Sequence, residues 1–201
     1  ADCTESYSVG DNTEVILTAA PESDSEFESW TGGACAGTGD CTITVNDDII
    51  ITASFVLKTY DIQATAGVGG SISPDGTISV NHGDDQIFDI SPQSGYEIAD
   101  VLVDTVSIGI ASSYPFNDVT ATHSIEALFS LINYNVVFSA GENGTLNGEI
   151  NQVVAHGSSC SPVTAEPSAG YYFSGWSGGY TDNPLTLSDV TSNMSITANF
   201  A

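Results

Sequence analysis

Apolar and polar residues alternate along much of this chain with a period of two. "TEVILTA" (Thr13–Ala19), "CTITV" (Cys41–Val45), "YDIQATA" (Tyr60–Ala66), "TISV" (Thr77–Val80), "YNVVFSA" (Tyr134–Ala140) and "SITANF" (Ser195–Phe200) are runs of Val, Ile, Thr and aromatic residues. Residues two apart share a face of a strand, so this spacing predicts short, half-buried β-strands. Turn-forming clusters punctuate them: "NDD" at Asn46–Asp48, "PDG" at Pro74–Gly76, and "NG" at Asn143–Gly144 and Asn147–Gly148. Gly, Asn and Asp tolerate the positive φ that tight hairpins need. No stretch joins a helical period to capping residues. The pattern predicts a mainly β protein.

The pattern also repeats. "VNHG" at Val80–Gly83 returns as "VAHG" at Val154–Gly157, and "AGVGGSI" (Ala66–Ile72) returns as "AGENGTL" (Ala140–Leu146). "SGYEI" (Ser94–Ile98) matches "AGYYF" (Ala169–Phe173). Three endings are alike: "IIITASF" closing at Phe55, "HSIEALF" at Phe129 and "MSITANF" at Phe200. The first two lead through "VLKTY" and "SLINY" into Tyr60 and Tyr134. A fixed period of this kind marks tandem units. Three small modules are expected, at residues 1–57, 58–131 and 132–201.

The first module reads as truncated. Gly10 aligns with Gly83 and Gly157, but only nine residues precede it, whereas Tyr60 and Tyr134 open their strands well before the matching glycines. Without its opening strands the module should expose an unpaired strand edge. Val15, Leu17, Phe27 and Phe55 are expected to border that gap. A cut from a longer array and a gap filled by another chain both stay open.

Certain stretches resemble the divergent internalin-type B-repeat family of bacterial surface and secreted proteins. "GYYFSGWSGG" (Gly170–Gly179) followed by "SITANF" is similar to that family's Gly-Tyr-x-Phe-x-Gly-Trp pattern and its closing Ile-Thr-Ala-x-Phe. "FESWTGGACAGTGDCTITV" (Phe27–Val45) resembles a cysteine-bearing variant, and Val101–Phe129 a variant in which a longer strand pair replaces the tryptophan loop. The resemblance covers nearly the whole chain. It implies β-grasp-like or small all-β modules strung in extracellular arrays as stalks, spacers or adhesion elements. It implies no catalytic residues.

Charge narrows the partners. Twenty-six Asp and Glu stand against one Lys or Arg, Lys58, for a formal net charge of -25. One cation cannot neutralise a row of phosphates, which excludes nucleic-acid binding and adhesion to an anionic membrane surface. The acids are scattered and 41% of the 201 residues are hydrophobic, which suits a folded, soluble protein rather than a disordered tail. No apolar run reaches the length of a membrane helix, and no secretory leader is evident, so a secreted protein would be represented by its mature form. Scarcity of Lys and Arg leaves little for trypsin-like proteases and hints at an extracellular setting.

The cysteines agree with that setting. Cys35 and Cys41 stand six apart in a glycine-rich stretch. This is neither the paired C-x₂-C of a zinc site nor a redox C-x-x-C. A disulfide fits best, because Gly37 and Gly39 allow a bend that brings the Cα atoms within about 6 Å. Cys3 and Cys160 remain. They are read as free thiols, as an intersubunit bond at a head-to-tail contact, or as an intrachain bond.

Other chemistry is thin. His82 and His156 occupy equivalent positions before turn glycines, and His123 lies in a strand-like run; a turn or strand role is favoured over catalysis. No G-x-S-x-G elbow is present, and no carboxylate pair stands out. "AGVGGS" lacks the G-K-[ST] of a phosphate loop. Trp30 and Trp176 follow Phe27 and Phe173 at matching spacing. They read as packing anchors, with a carbohydrate face of Trp176, Tyr171 and Tyr180 as the alternative. "NDD" and "GDD" could hold Ca²⁺ but do not form a D-x-[DN]-x-[DN]-G loop, so no metal or other cofactor is expected. The expected protein is extracellular, on the cell surface or secreted, and non-catalytic. It is a filament or stalk subunit that joins copies of itself end to end; an adhesin or carbohydrate-binding array is the alternative.

Overall fold

The computed structural model describes residues 13–201. Among these residues it contains β-strands and one short 3₁₀ turn (Ser177–Gly179), with no α-helix, so the small all-β alternative is the one realised. The first repeat holds β1 (Thr13–Leu17), β2 (Ser25–Thr31), β3 (Cys41–Val45) and β4 (Thr52–Leu57). The second runs through β5 (Thr59–Ala66), β6 (Gly70–Ser73), β7 (Gly76–Asn81), β8 (Gln86–Pro92), β9 (Tyr96–Val103), β10 (Val106–Gly109), β11 (Ser113–Phe116) and β12 (His123–Leu131). The third comprises β13 (Asn133–Ala140), β14 (Gly144–Asn147), β15 (Asn151–Ala155), β16 (Thr164–Pro167), β17 (Phe173–Trp176) and β18 (Met194–Phe200).

Two compact units emerge, and their boundary passes through the second repeat. One takes the described residues up to Gln63 with Gly76–Ile87 and Tyr114–Ser124; the other takes Ala64–Asp75, Phe88–Ser113 and Ile125–Ala201.

The second unit contains the whole third repeat. Its main sheet has the order β15, β13, β18, β17. The strand that opens the repeat, β13, lies parallel to the strand that closes it, with Val136 opposite Met194, Phe138 opposite Ile196 and Ala140 opposite Ala198. Parallel pairing needs a long connection between the two strands, and here all the rest of the repeat supplies it. On its other edge β18 meets β17 antiparallel, with Trp176 opposite Ala198. The period-two pattern explains the core. Val136 and Phe138 of β13 and Ile196 and Ala198 of β18 turn the same way and pack with Val154, Val163, Trp176, Leu185 and Val190.

The A-G-x-x-G segment, read from the sequence as a turn, also locks the closing strand. Gly141 N–H donates to the Ala198 carbonyl (2.8 Å), as Gly67 N–H does to Ala127 (2.8 Å) in the second repeat. The second glycine lies against the closing phenylalanine. A Cβ on Gly144 would stand 2.2 Å from Phe200 Cζ, and one on Gly70 would stand 2.2 Å from Phe129 Cζ. Between these glycines Asn143 adopts φ 69°, the left-handed conformation anticipated for the "NG" turn. Within the same unit β9 pairs with β10 and with β12, and β6 pairs with β8. The Asp100 carboxylate accepts hydrogen bonds from Val101 N–H, Ser107 Oγ and Gly109 N–H, which pins the bulge in β10.

The first unit contains the described part of the first repeat. Two antiparallel ribbons form it, β1 with β3 and β2 with β4. Trp30, Cys35, Cys41 and Ile43 are buried between them, with Val15, Leu17, Phe27, Ile51 and Ala53 packed against them in part. Of the four residues expected to border a gap, Val15, Leu17 and Phe27 therefore lie on this small core, while Phe55 is 44% exposed. In the same unit Tyr60, Asp61 and Gln63 of β5 meet His82, Ser79 and Thr77 through side-chain hydrogen bonds.

Substituting Gly144→Ala should destabilise the protein by about 1–3 kcal/mol, because the added methyl group overpacks against Phe200. Gly39→Ala, whose Cβ would meet nothing within 4 Å, should change stability by less than about 0.5 kcal/mol. Urea denaturation of the two variants checks the contrast.

Candidate functional site: the joints between repeats

Where one repeat hands over to the next, the same bonds appear twice. Lys58 follows the closing strand of the first repeat and Ile132 that of the second. Lys58 N–H donates to the Asp24 carbonyl (2.9 Å), and the Lys58 carbonyl accepts from His82 N–H (2.7 Å). Ile132 N–H donates to the Gly95 carbonyl (2.9 Å), and the Ile132 carbonyl accepts from His156 N–H (2.8 Å). Asp24 and Gly95 each immediately precede a long strand, β2 and β9. A single linker residue is thus bonded backward into one repeat and forward into the next, which satisfies both of its backbone groups.

The histidine completes each joint. Tyr60 Oη lies 3.3 Å from His82 Nδ1, with ring centroids 5.8 Å apart. Tyr134 Oη lies 3.3 Å from His156 Nδ1, with centroids 5.9 Å apart. Tyr60 and Tyr134 open their repeats, so the ring pair braces the incoming strand against the turn that follows. At the second joint the His156 ring also rests on Gly95, where a Cβ would come within 2.3 Å of Cδ2. Glycine is required there twice over, for that approach and for its φ of +84°.

The first joint uses charge instead. Lys58 Nζ donates to the Ser23 carbonyl (2.7 Å), so the one Lys or Arg of the chain is placed here. The Asp24 carboxyl is held below its ordinary value, chiefly by the hydrogen bond from Ser25 Oγ (2.6 Å). Desolvation opposes this, while its own backbone N–H and the nearby His82 and Lys58 reinforce it.

Other candidate residues are dispersed. Cys35 and Cys41 form a disulfide, with Cα atoms 5.4 Å apart. Trp30, just before it, donates from Nε1 to the Gly39 carbonyl (2.8 Å), so the loop wraps the indole. Cys160 lies in the core of the third repeat, where Leu187 N–H donates to its sulfur (3.0 Å). Cys160 is a free thiol there, as the first of its three readings had it, and its burial weighs against the intersubunit alternative, because another chain could reach this sulfur only if the core opened. Cys3, its proposed partner, lies outside the described residues.

The carbohydrate face is corrected as well. Trp176 is only 3% exposed and donates from Nε1 to the Asp182 carbonyl (2.8 Å). Tyr180 packs partly into the same core, and of the three proposed aromatics only Tyr171 is exposed. "F-x-x-W" buries its indole because Phe173 packs beside Trp176, with ring centroids 5.6 Å apart. His123 begins β12 and stacks on Phe116, with centroids 4.9 Å apart. Among the described residues no three His, Cys, Asp or Glu side chains converge as a metal site would require. None of the helices there is long and apolar enough to cross a membrane.

The joints were not foreseen from the sequence. The only available signal was that Lys58 and Ile132 stand two residues before the opening tyrosines, at otherwise unlike residues. Backbone groups make the bond, so side-chain identity does not betray it.

Comparison with known proteins agrees with the repeat structure. The family model of the divergent InlB B-repeat domain matches residues 1–59, 60–133 and 134–201. No curated protein and no solved structure matches the chain.

Gly95→Ala should lower stability by about 1–3 kcal/mol more than Gly109→Ala. Both sites have positive φ, but only at Gly95 does the methyl group strike a neighbour, the His156 ring. Urea unfolding of the two variants gives the difference.

Proposed function

This chain belongs to the divergent InlB B-repeat domain family, and from that premise we propose that it is a non-catalytic structural element of a bacterial surface. Its task is mechanical: to space or carry other parts outside the cell, as a stalk section or as a filament subunit joined to further copies of itself. The observation that carries this reading is the pair of joints built alike. A flexible linker would leave successive repeats independent. Here one residue links each pair, hydrogen-bonded on both sides, with a tyrosine–histidine brace beside it.

Other features support the same reading. The Cys35–Cys41 disulfide suits an oxidising compartment outside the cytoplasm. A formal charge of -25 keeps a surface protein soluble and discourages side-by-side clumping. The adhesin alternative has less behind it, because the indole it relied on is buried.

Electron microscopy of the native protein, purified from its source without reductant, tests the filament form. Regular fibres at low micromolar concentration are expected. Dispersed particles with no fibres, together with specific retention on a glycan array, would overturn it in favour of the adhesin.

A further inference from the structure

In the third repeat the closing strand has neighbours on both edges, β13 and β17. Its first residues depend on β13 alone. Met194, Ser195 and Ile196 pair with Val136, Val137 and Phe138, whereas the β17 ladder reaches β18 only from Ala198 onward. By the shared endings, Ala53 corresponds to Ala198, Phe55 to Phe200, and Ile49, Ile50 and Ile51 to Met194, Ser195 and Ile196.

In the first repeat no strand among the described residues takes that neighbour's place. Among the described residues β4 pairs with β2 and with no other strand. The strand starts at Thr52, where the β2 ladder begins, and Ile49, Ile50 and Ile51 are not in a strand. Ile51 is half-buried where its counterparts Ile125 and Ile196 are 1% and 4% exposed. Among the described residues no glycine lies beneath Phe55 as Gly70 does under Phe129 or Gly144 under Phe200. The Ala53 carbonyl corresponds to those of Ala127 and Ala198, which accept from Gly67 and Gly141. An apolar row beside an unpaired ladder is a template for a further strand.

The third repeat also specifies what fits. We propose that the open edge of β4 is a receptor for the opening strand of another B-repeat, docked parallel to β4. Two valine- or phenylalanine-type side chains at alternate positions, corresponding to Val136 and Phe138, would enter beside Ile49 and Ile51. The first glycine of the following A-G-x-x-G would donate its N–H to the Ala53 carbonyl, and the second would lie under Phe55. The pairing would extend β4 back through Ile49 and bury Ile51 and Phe55, while Ile50 would stay on the outer face like its counterpart Ser195. Specificity lies in the second glycine, since any side chain there collides with the phenylalanine ring. This deepens the filament reading by naming the surface through which one repeat engages another, and it rests on that reading only for its biological setting.

The test is titration calorimetry of the 201-residue chain with the synthetic peptide YNVVFSAGENG, the sequence of Tyr134–Gly144. Saturable one-to-one binding with a rise in melting temperature is expected. Two altered peptides, with Val136→Asp and Phe138→Asp together or with Gly144→Val, should each bind at least about tenfold more weakly, a loss of about 1.4 kcal/mol. No binding of the parent peptide would overturn the proposal, and so would equal binding of all three, since the edge would then be covered or unselective. Peptide binding by a protein that forms no fibres would leave the receptor standing while removing the filament. Fibres from a protein that ignores the peptide would do the reverse.

Discussion

In the second and third repeats the fold depends on the closing strand being gripped from both edges. In the third repeat β13 supplies a parallel ladder to one edge of β18 and β17 an antiparallel ladder to the other. The two inward faces then bury Val136, Phe138, Ile196 and Ala198 as one apolar layer. Burial of each such side chain is worth about 1.5–3 kcal/mol. The glycines that follow β13 finish the grip, one by a hydrogen bond to Ala198 and the other by making room for Phe200. Because the grip joins the first strand of the repeat to the last, it sets the size of the unit and leaves the chain ready to start another.

That constraint also accounts for how the repeats connect. A strand leaving the grip must turn into the next opening strand within a few residues, and the linker has no room to leave its backbone groups unpaired. Lys58 and Ile132 meet the requirement with the same two backbone hydrogen bonds despite sharing no side-chain chemistry. The surface charge does not disturb this arrangement, because among the described residues no Asp or Glu is buried. Among the described residues Gln152 is the one buried polar side chain, and its amide is fully engaged by Glu149, Ser161 and the Ser161 N–H. No buried side-chain polar atom there lacks a partner. Repulsion among the carboxylates remains a long-range term that salt relieves.

Much of the architecture was legible in the sequence because it is written in period-two patterns. The strands at "TEVILTA", "CTITV", "YNVVFSA" and "SITANF", the turn at Asn143 and the Cys35–Cys41 disulfide all follow from local rules. The three-fold repetition was legible from its glycines and endings. What could not be read depends on burial set by distant residues. The depth of Cys160 is one case: its thiol suggests reactivity, yet it lies in one core cluster with Val163, Leu185 and Val190. The joints escaped notice because main-chain atoms form them. Phe55 was expected to border a gap, and it is 44% exposed.

Native-state hydrogen exchange on the uncomplexed chain, resolved to single amides, compares the three closing strands directly. Amides in a doubly gripped strand should open only with the core, and those at a bare edge should exchange through local fluctuation. Strong protection is expected across 194–198 and 125–129, with residues 49–51 exchanging at least about a hundredfold faster. Equal protection at all three sites would contradict the central claim, because a closing strand would then need no neighbour on that edge to hold its place.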